Sequence, residues 1–392
     1  MSTNPFSDNQ RFFAPLGADD HARLDTFYSQ MREAQKTFTG YPCNQIYDYS
    51  DLMRFMGLSL NNVGDPYGDS TFRMHSRQFE QEVIAWYAGL THAQPDETWG
   101  YVTNGGTEGN LYGLYLAREL YPNAIFYFSQ ETHYSVAKNL NLLNVRNIMI
   151  ASQENGEMDY DDLRETIKMH RDVPAVVLVN IGTTMKGAID NVQEIHAVLQ
   201  RLKIQHSYIH ADAALSGMIL PFVDDPQPFR FSDGIDSISV SGHKLIGSPM
   251  PCGIVLAKRK NVDAIARSIE YVGVLDTTIT GSRNAISPMI LWYAMKCAGE
   301  QGFRKIVDES IRNADYAIAA FAKYGIHAWR NRNSITVVFP RPSMETLYHW
   351  QMAPEHAIAH VITLPHVTYE TIDRLVADVA KDHAKDKQMR VS

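Results

Sequence analysis

Between residues 100 and 257, short and almost continuously apolar runs alternate with stretches of helical periodicity. No other feature of the chain constrains its fold as strongly. The runs fall at 100–103, 125–129, 147–151, 175–180, 208–211, 237–240 and 253–257. A strand that faces water on one side alternates apolar and polar residues, whereas one that is apolar throughout must be covered on both faces. Helical patterns at 107–120, 159–170 and 191–202 supply that cover. The spacing therefore predicts an α/β fold built on a mainly parallel, seven-stranded sheet between helical layers. In such sheets ligands bind beyond the carboxyl ends of the strands, so reactive residues at those ends carry the most weight.

The flanks are different. Residues up to about 20 are polar and aperiodic and read as a loose arm. Leu24, Phe27, Tyr28 and Met31 share one side of a helix predicted from Asp20 to about Thr37. Residues 41–76 are irregular and rich in Asn, Asp, Pro and Gly, a texture more often functional than passive. A helix is expected at about 78–90. After Arg283, long helices at about 287–298 and 303–324 lead into apolar runs at 334–339 and 356–364 and a last helix at about 369–381. The expected division is an N-terminal segment over 1–76, a large domain over 77–285 and a smaller α+β domain over 286–392.

Several functional classes are disfavoured. The net charge is −8 and no basic run is present, so nucleic-acid partners are not expected. Cys43, Cys252 and Cys297 are far apart and form no CxxC pair, which argues against a disulfide framework and suits a reducing cytoplasm. The N-terminus lacks a basic stretch followed by an apolar one, and no apolar run reaches membrane-spanning length. A soluble, cytoplasmic protein is expected. The 15 histidines are scattered without HExxH spacing, so no metal site is expected.

Three strand-end features carry chemistry. Thr103-Asn104-Gly105-Gly106-Thr107-Glu108-Gly109-Asn110 lies between a strand and a helix. Its glycines admit a ligand close to the backbone, and the helix start offers free N–H groups and a positive dipole end. It is neither a Walker loop nor a dinucleotide fingerprint. His210-Ala-Asp212-Ala-Ala214 places a carboxylate where burial is costly without a cationic or hydrogen-bonding partner. As a metal pair, His210 and Asp212 lack a third ligand. Lys244 follows Ser241-Gly242-His243 at a strand end, and desolvated lysines become nucleophiles. A phosphate cradle, a partner for a pyridinium nitrogen and a Schiff-base amine, in that order, are what pyridoxal 5'-phosphate (PLP) requires.

With these features in place, the chain resembles the fold-type I PLP enzymes, which share the aspartate aminotransferase fold, and within them the group II amino-acid decarboxylases. The resemblance runs from about Tyr41 to Val379. It is carried by Trp99-Gly-Tyr-Val-Thr-Asn-Gly-Gly-Thr-Glu-Gly-Asn110, Thr132-His-Tyr-Ser-Val-Ala-Lys138, Asn180-Ile-Gly-Thr-Thr184, His210-Ala-Asp-Ala-Ala214, Ser239-Val-Ser-Gly-His-Lys244 and Thr280-Gly-Ser-Arg283. The resemblance implies that Lys244 carries PLP, Asp212 pairs with the ring nitrogen and His133 stacks on the ring. It also implies that Thr183 or Thr184 borders the ring oxygen and that Gly105, Gly106, Thr107, Ser241 and His243 hold the phosphate. Ser282 matches the residue that reaches the phosphate from the neighbouring subunit, so a homodimer with shared sites is implied. Arg283 reads instead as a structural ion-pair residue.

The implied reaction is α-decarboxylation of a small-molecule amino acid. Related enzymes protonate Cα with a tyrosine from a loop of the partner subunit, and Tyr271, within 268–280, is the candidate here, with His133 as the alternative. The blocks Ser216–Asp224, Ala328–Asn331 and Asn333–Pro340 resemble bacterial histidine decarboxylases. Tyr41-Pro-Cys-Asn44, Gly64-Asp-Pro-Tyr67 and His75-Ser-Arg-Gln-Phe-Glu80 are more similar to serine decarboxylases, in a segment that contributes to the substrate pocket of this family. L-histidine to histamine ranks first and L-serine to ethanolamine second. An aminotransferase or lyase on the same fold remains a third reading. Arg332 and Arg341 lie in no aminotransferase-like block.

Overall fold

The computed structural model describes residues 14–69, 71–269 and 274–391. Helix α1 (Ala18–Gln35) opens the described chain and α2 (Arg77–Leu90) follows the irregular segment, which holds one 3-10 turn at Ser50–Gly57. Next come β1 (Thr98–Thr103), α3 (Gly106–Leu120), β2 (Ile125–Ser129), α4 (Ser135–Leu143), β3 (Arg146–Ile150), α5 (Tyr160–Lys168), β4 (Ala175–Asn180), α6 (Val192–Arg201) and β5 (Ser207–Asp212). Strands β6 (Ser237–Ser241) and β7 (Gly253–Lys258) complete a seven-stranded sheet of order β1-β7-β6-β5-β4-β2-β3. The pairs from β3 through β6 are parallel, and only β7 runs against its neighbours β6 and β1.

The predicted runs match these strands because their burial matches their composition. Every residue of β1, β4 and β6 is buried, whereas the edge strand β3 exposes Arg146 and Asn147. Polar residues on an edge discourage pairing with other chains. Helices α5 and α6 start where Asp159 and Asn191 accept hydrogen bonds from the backbone N–H groups of Asp161 and Asp162, and of Gln193 and Glu194. Helix α4 starts inside the Thr132–Lys138 block, runs on to Leu143 and has no counterpart among the predicted helices.

Beyond the sheet come α7 (Arg259–Asp263), the short pair β8 (Arg267–Ile269) and β9 (Val274–Asp276), and α8 (Ile286–Ala322). The two helices predicted at 287–298 and 303–324 are one element interrupted at Gly299, whose φ of 57° and ψ of −176° leave the helical region. Residues of α8 up to Val307, among them Met289, Leu291 and Phe303, pack into the large core, and those from Ala314 onward pack into a separate core through Ala317 and Phe321. That second core is closed by a three-stranded sheet of β10 (Thr336–Pro340), β11 (Pro354–Glu355) and β12 (Ile358–Ile362), with α9 (Met344–His349) and α10 (Tyr369–Val391). No helix among the described residues is long and apolar enough to cross a membrane.

The irregular segment works as a strap. Thr39 takes the N–H of Ile362 on its carbonyl (2.9 Å) and donates its hydroxyl to Trp350 O (2.9 Å), tying the strap to the small core. Asn44 N donates to Lys244 O (3.0 Å) and Asn44 Nδ2 to Leu245 O (2.9 Å). Further on, the fully buried Glu80 carboxylate pairs with Arg283 and also accepts Asn62 Nδ2 and Val102 N, each at 2.8 Å. Arg283 is thus the structural ion-pair residue expected from the sequence, its guanidinium also lying over the Tyr101 ring. Glu80→Ala would leave that guanidinium buried without its counter-charge. We expect it to lower the unfolding free energy by about 3–5 kcal/mol, read as a drop in the urea midpoint at unchanged slope. A loss under about 1 kcal/mol would show the pair behaving as a surface one.

Candidate active site

The turn from β1 into α3 is held open by glycine. Gly105 has φ 136° and ψ 175°, a conformation other residues adopt only under strain. Its carbonyl accepts Thr103 Oγ1 (3.0 Å) and Gly109 N (3.2 Å). Asn104 is folded back onto Glu108 Oε2 through both its backbone N (2.8 Å) and its Nδ2 (2.7 Å). No side chain caps α3, so the N–H groups of its first turn face outward from the sheet end without a side-chain acceptor. A Cβ on Gly106 would lie 2.8 Å from Ser241 Oγ, and one on Gly105 would lie 3.9 Å from His243 Cε1. The structure thereby brings Gly105, Gly106, Ser241 and His243 together. Thr107 stands in the first turn of α3, with its carbonyl accepting Asn139 Nδ2 (3.0 Å).

Asp212 ends β5, in register with Asn180 on β4 and Ser239 on β6. It is 7% exposed, and each oxygen has one donor: Ala214 N to Oδ1 (3.1 Å) and Asn110 Nδ2 to Oδ2 (2.7 Å). Two donors leave lone pairs of the carboxylate free for a third.

Lys244 follows β6. Burial lowers its pKa, and the negative charge of Asp212, together with Cys43, pulls it partway back. A lowered lysine pKa leaves more of the neutral, nucleophilic amine. Burial raises the Cys43 thiol in turn, with Lys244 opposing. His133 belongs to the same electrostatic neighbourhood. Burial depresses its pKa, Asp212 raises it, and Lys244 and Lys138 lower it. Its Nδ1 accepts Ser135 N (3.3 Å) and lies 2.7 Å from the Ser135 hydroxyl, which fixes the ring at the start of α4. Amine, carboxylate and imidazole, each following a different strand, are therefore near enough to act on one another's charge.

The remaining predicted residues divide. Thr183 is buried, and its hydroxyl accepts Ala188 N (3.0 Å), closing a turn; Thr184 beside it is exposed. His243 lies with Nδ1 3.0 Å from Cys252 O, and burial lowers its pKa. Ser282 is exposed and accepts Asn61 Nδ2 (3.1 Å), with no described bond to the Lys244 cluster. Tyr271 lies outside the described residues. Arg332 pairs with Asp225 and Arg341 bonds the His356 carbonyl, so neither is held toward the cluster.

Sequence reasoning missed two groups. Asn110, one turn beyond Gly106, was part of a quoted block but had no role. Its signal is the i, i+4 spacing from the cradle, on the face that carries Gly109 and Gly113. The strap residues Cys43 and Asn44 gave no local signal of their contact with Lys244.

These residues suit PLP. The glycine turn and uncapped helix start fit a phosphate, Asp212 has lone pairs to spare for a ring N–H, and the Lys244 amine is desolvated. Among the described residues no three His, Cys, Asp or Glu side chains gather as metal ligands.

Comparison with known proteins agrees. Residues 113–339 match the family model described as the pyridoxal-dependent decarboxylase conserved domain. A histidine decarboxylase of Morganella morganii is 47% identical over 370 residues, covering 94% of this chain and 98% of that protein. One from Pseudomonas entomophila is 47% identical over 371 residues, covering 94% and 92%. Among solved structures, L-methionine decarboxylase from Streptomyces sp. 590 superposes with a TM-score of 0.85 at 26% identity, covering 96% of this chain and 98% of that one. Glutamate decarboxylase of Lactobacillus brevis shares the fold, with a TM-score of 0.78 at 17% identity over 95% and 93%. The family model spans over half of the chain and the relatives nearly all of it: the chain belongs to the pyridoxal-dependent decarboxylase family, and is a carboxy-lyase with PLP as its cofactor.

Proposed function

We propose that this enzyme removes CO₂ from L-histidine to give histamine. The observation that carries the decarboxylase chemistry is the convergence of the Lys244 amine, the Asp212 carboxylate and the His133 imidazole. Support for the substrate comes from relatives named histidine decarboxylase at 45–47% identity over more than nine-tenths of the chain.

PLP, when bound, supplies an electron sink for the charge left on Cα as CO₂ departs. The chain's own groups do the rest. Lys244 would tether the cofactor through an amine whose pKa burial lowers. Asp212 would sit against the ring nitrogen, where a carboxylate favours the charged form of that nitrogen. His133 would cover the ring face, and Thr183 or Thr184 would border the ring oxygen. Gly105, Gly106 and Thr107 offer the N–H groups and dipole end of α3 to the phosphate, with Ser241 and His243 completing the cradle. Tyr271 would deliver the proton to Cα, with His133 as the alternative donor.

The active form in this reading is a homodimer in which Ser282 of the partner subunit completes the phosphate site. Its support is α1, which buries none of its residues and exposes Leu24, Phe27, Tyr28 and Met31 on one side. Apolar faces of that kind are normally covered by another chain. A cytoplasmic setting accords with three free thiols. The proposed domain limits remain 1–76, 77–285 and 286–392, with α8 shared between the two cores.

L-serine to ethanolamine is kept as a second reading on one observation. Asn44, the last residue of the Tyr41–Asn44 block that resembles serine decarboxylases, is bonded to the carbonyls of Lys244 and Leu245.

Three measurements test these readings. PLP-loaded protein given each common amino acid should form histamine from histidine; ethanolamine from serine would select the second reading, and no amine from any would refute decarboxylation. Tyr271→Phe should slow amine formation by roughly a hundredfold or divert turnover to transamination, and unchanged kinetics and product would remove Tyr271 from the reaction. Sedimentation should place the holoenzyme at the mass of two chains, and a monomer with full activity would exclude the shared site.

A further inference from the structure

His210 lies on β5 two residues before Asp212, so both side chains leave the same face of the strand, toward α3. It is completely buried, yet both ring nitrogens have partners. Nδ1 is 2.7 Å from Ser237 Oγ, whose residue is its register partner on β6. Nε2 is 3.1 Å from Asn110 Oδ1. The same Asn110 gives its amide nitrogen to Asp212 Oδ2 at 2.7 Å. Ser237, His210, Asn110 and Asp212 thus form one hydrogen-bonded chain across β6, β5 and α3.

Such a chain has a direction. An ionised carboxylate can only accept, so the NH₂ of Asn110 must face Asp212 and its oxygen must face His210. That oxygen can only accept, so His210 carries its proton on Nε2. Nδ1 is then bare, and the Ser237 hydroxyl donates to it. Reversing any link reverses all of them, and the carboxamide oxygen would then face a carboxylate that must be protonated. Burial pushes the His210 pKa down to about 4, so the ring holds one proton at neutral pH and cannot satisfy both directions at once. The site is built around this ring: a Cβ on Gly113 would collide with the His210 imidazole, and one on Gly109 with Ser239 Oγ. Both glycines let α3 press against β5 and β6 with Asn110 between them.

We propose that His210, backed by Ser237, is a positioning residue that orients the Asn110 amide and thereby keeps Asp212 an ionised acceptor facing the cofactor. The proposal rests on the reading of Asp212 as partner of the ring nitrogen; it does not depend on which amino acid is the substrate.

The test begins with the unaltered protein. With ¹⁵N-labelled histidine, the His210 ring, assigned by its loss in His210→Gln, should show the Nε2–H tautomer in apoprotein and holoenzyme alike. It should stay neutral from pH 8 down to about 6, titrating only toward pH 4. An Nδ1–H tautomer would overturn the proposal. Ser237→Ala removes the donor to Nδ1 while Asn110 Oδ1 still demands the Nε2 proton, so the Nε2–H tautomer should persist with a shifted Nδ1 resonance; a switch to Nδ1–H, or an unshifted Nδ1, would overturn it equally.

The second arm compares two replacements by cofactor affinity, measured by fluorescence titration of apoprotein, and by kinetics. His210→Leu cuts the chain and should weaken PLP binding and lower kcat by roughly ten- to a hundredfold, the worth of a hydrogen bond to a charged group, with KM within about threefold. His210→Gln can accept from Ser237 and donate to Asn110, and should recover most of both. Equal losses in the two variants would mean packing alone, and no loss in either would mean no role. Asp212→Asn separates the premise from the proposal: undiminished PLP affinity there would refute the role of Asp212 while leaving the His210 tautomer as found.

Discussion

One constraint shapes the site: a carboxylate must stay charged at the end of a buried strand. Asp212 lies between β4 and β6, where water cannot solvate it well. An uncompensated charge in such a place costs several kcal/mol or takes up a proton. Here the compensation is local and polar. Asn110 and Ala214 each donate one hydrogen bond, and the Lys244 amine lies close enough for the two charges to influence each other. Meeting these demands requires α3 to lie close on the sheet, which is why its inner face carries glycine where His210 and Ser239 approach. The same close approach places the uncapped start of α3 beside Ser241 and His243. Anion cradle and buried carboxylate are therefore two results of one packing arrangement.

The strap adds a second layer. It is pinned to the small core at Thr39, to the lysine loop at Asn44 and to the end of β1 through Glu80 and Arg283. The buried Glu80–Arg283 pair fixes the far end of the strap, because separating two desolvated charges is costly.

Much of this was legible in the chain. A strand covered on both faces must be apolar along its length, and that requirement is written locally, so all seven strands of the main sheet lie where the apolar runs fall. Polar or charged residues at the ends of such runs stand out because burial there is expensive, and Asp212 and Lys244 were found that way. Gly105 was visible because the tight turn into α3 demands a conformation that suits glycine. Helix α4 was missed because its apolar residues Val136, Leu140 and Leu143 occupy only two turns, too few to set a period.

The sequence by itself determined the sheet, the order of cradle, carboxylate and lysine along it, and the cofactor those three require. Each of these depends on the burial or backbone geometry of neighbouring residues. Tertiary structure decided which groups act together. His210, Asn110 and Ser237 are separated by up to 127 residues, and Cys43 and Asn44 precede Lys244 by about 200. Hydrogen bonds between such partners leave no periodic trace, because each end needs only to be polar and only the fold sets the distance between them.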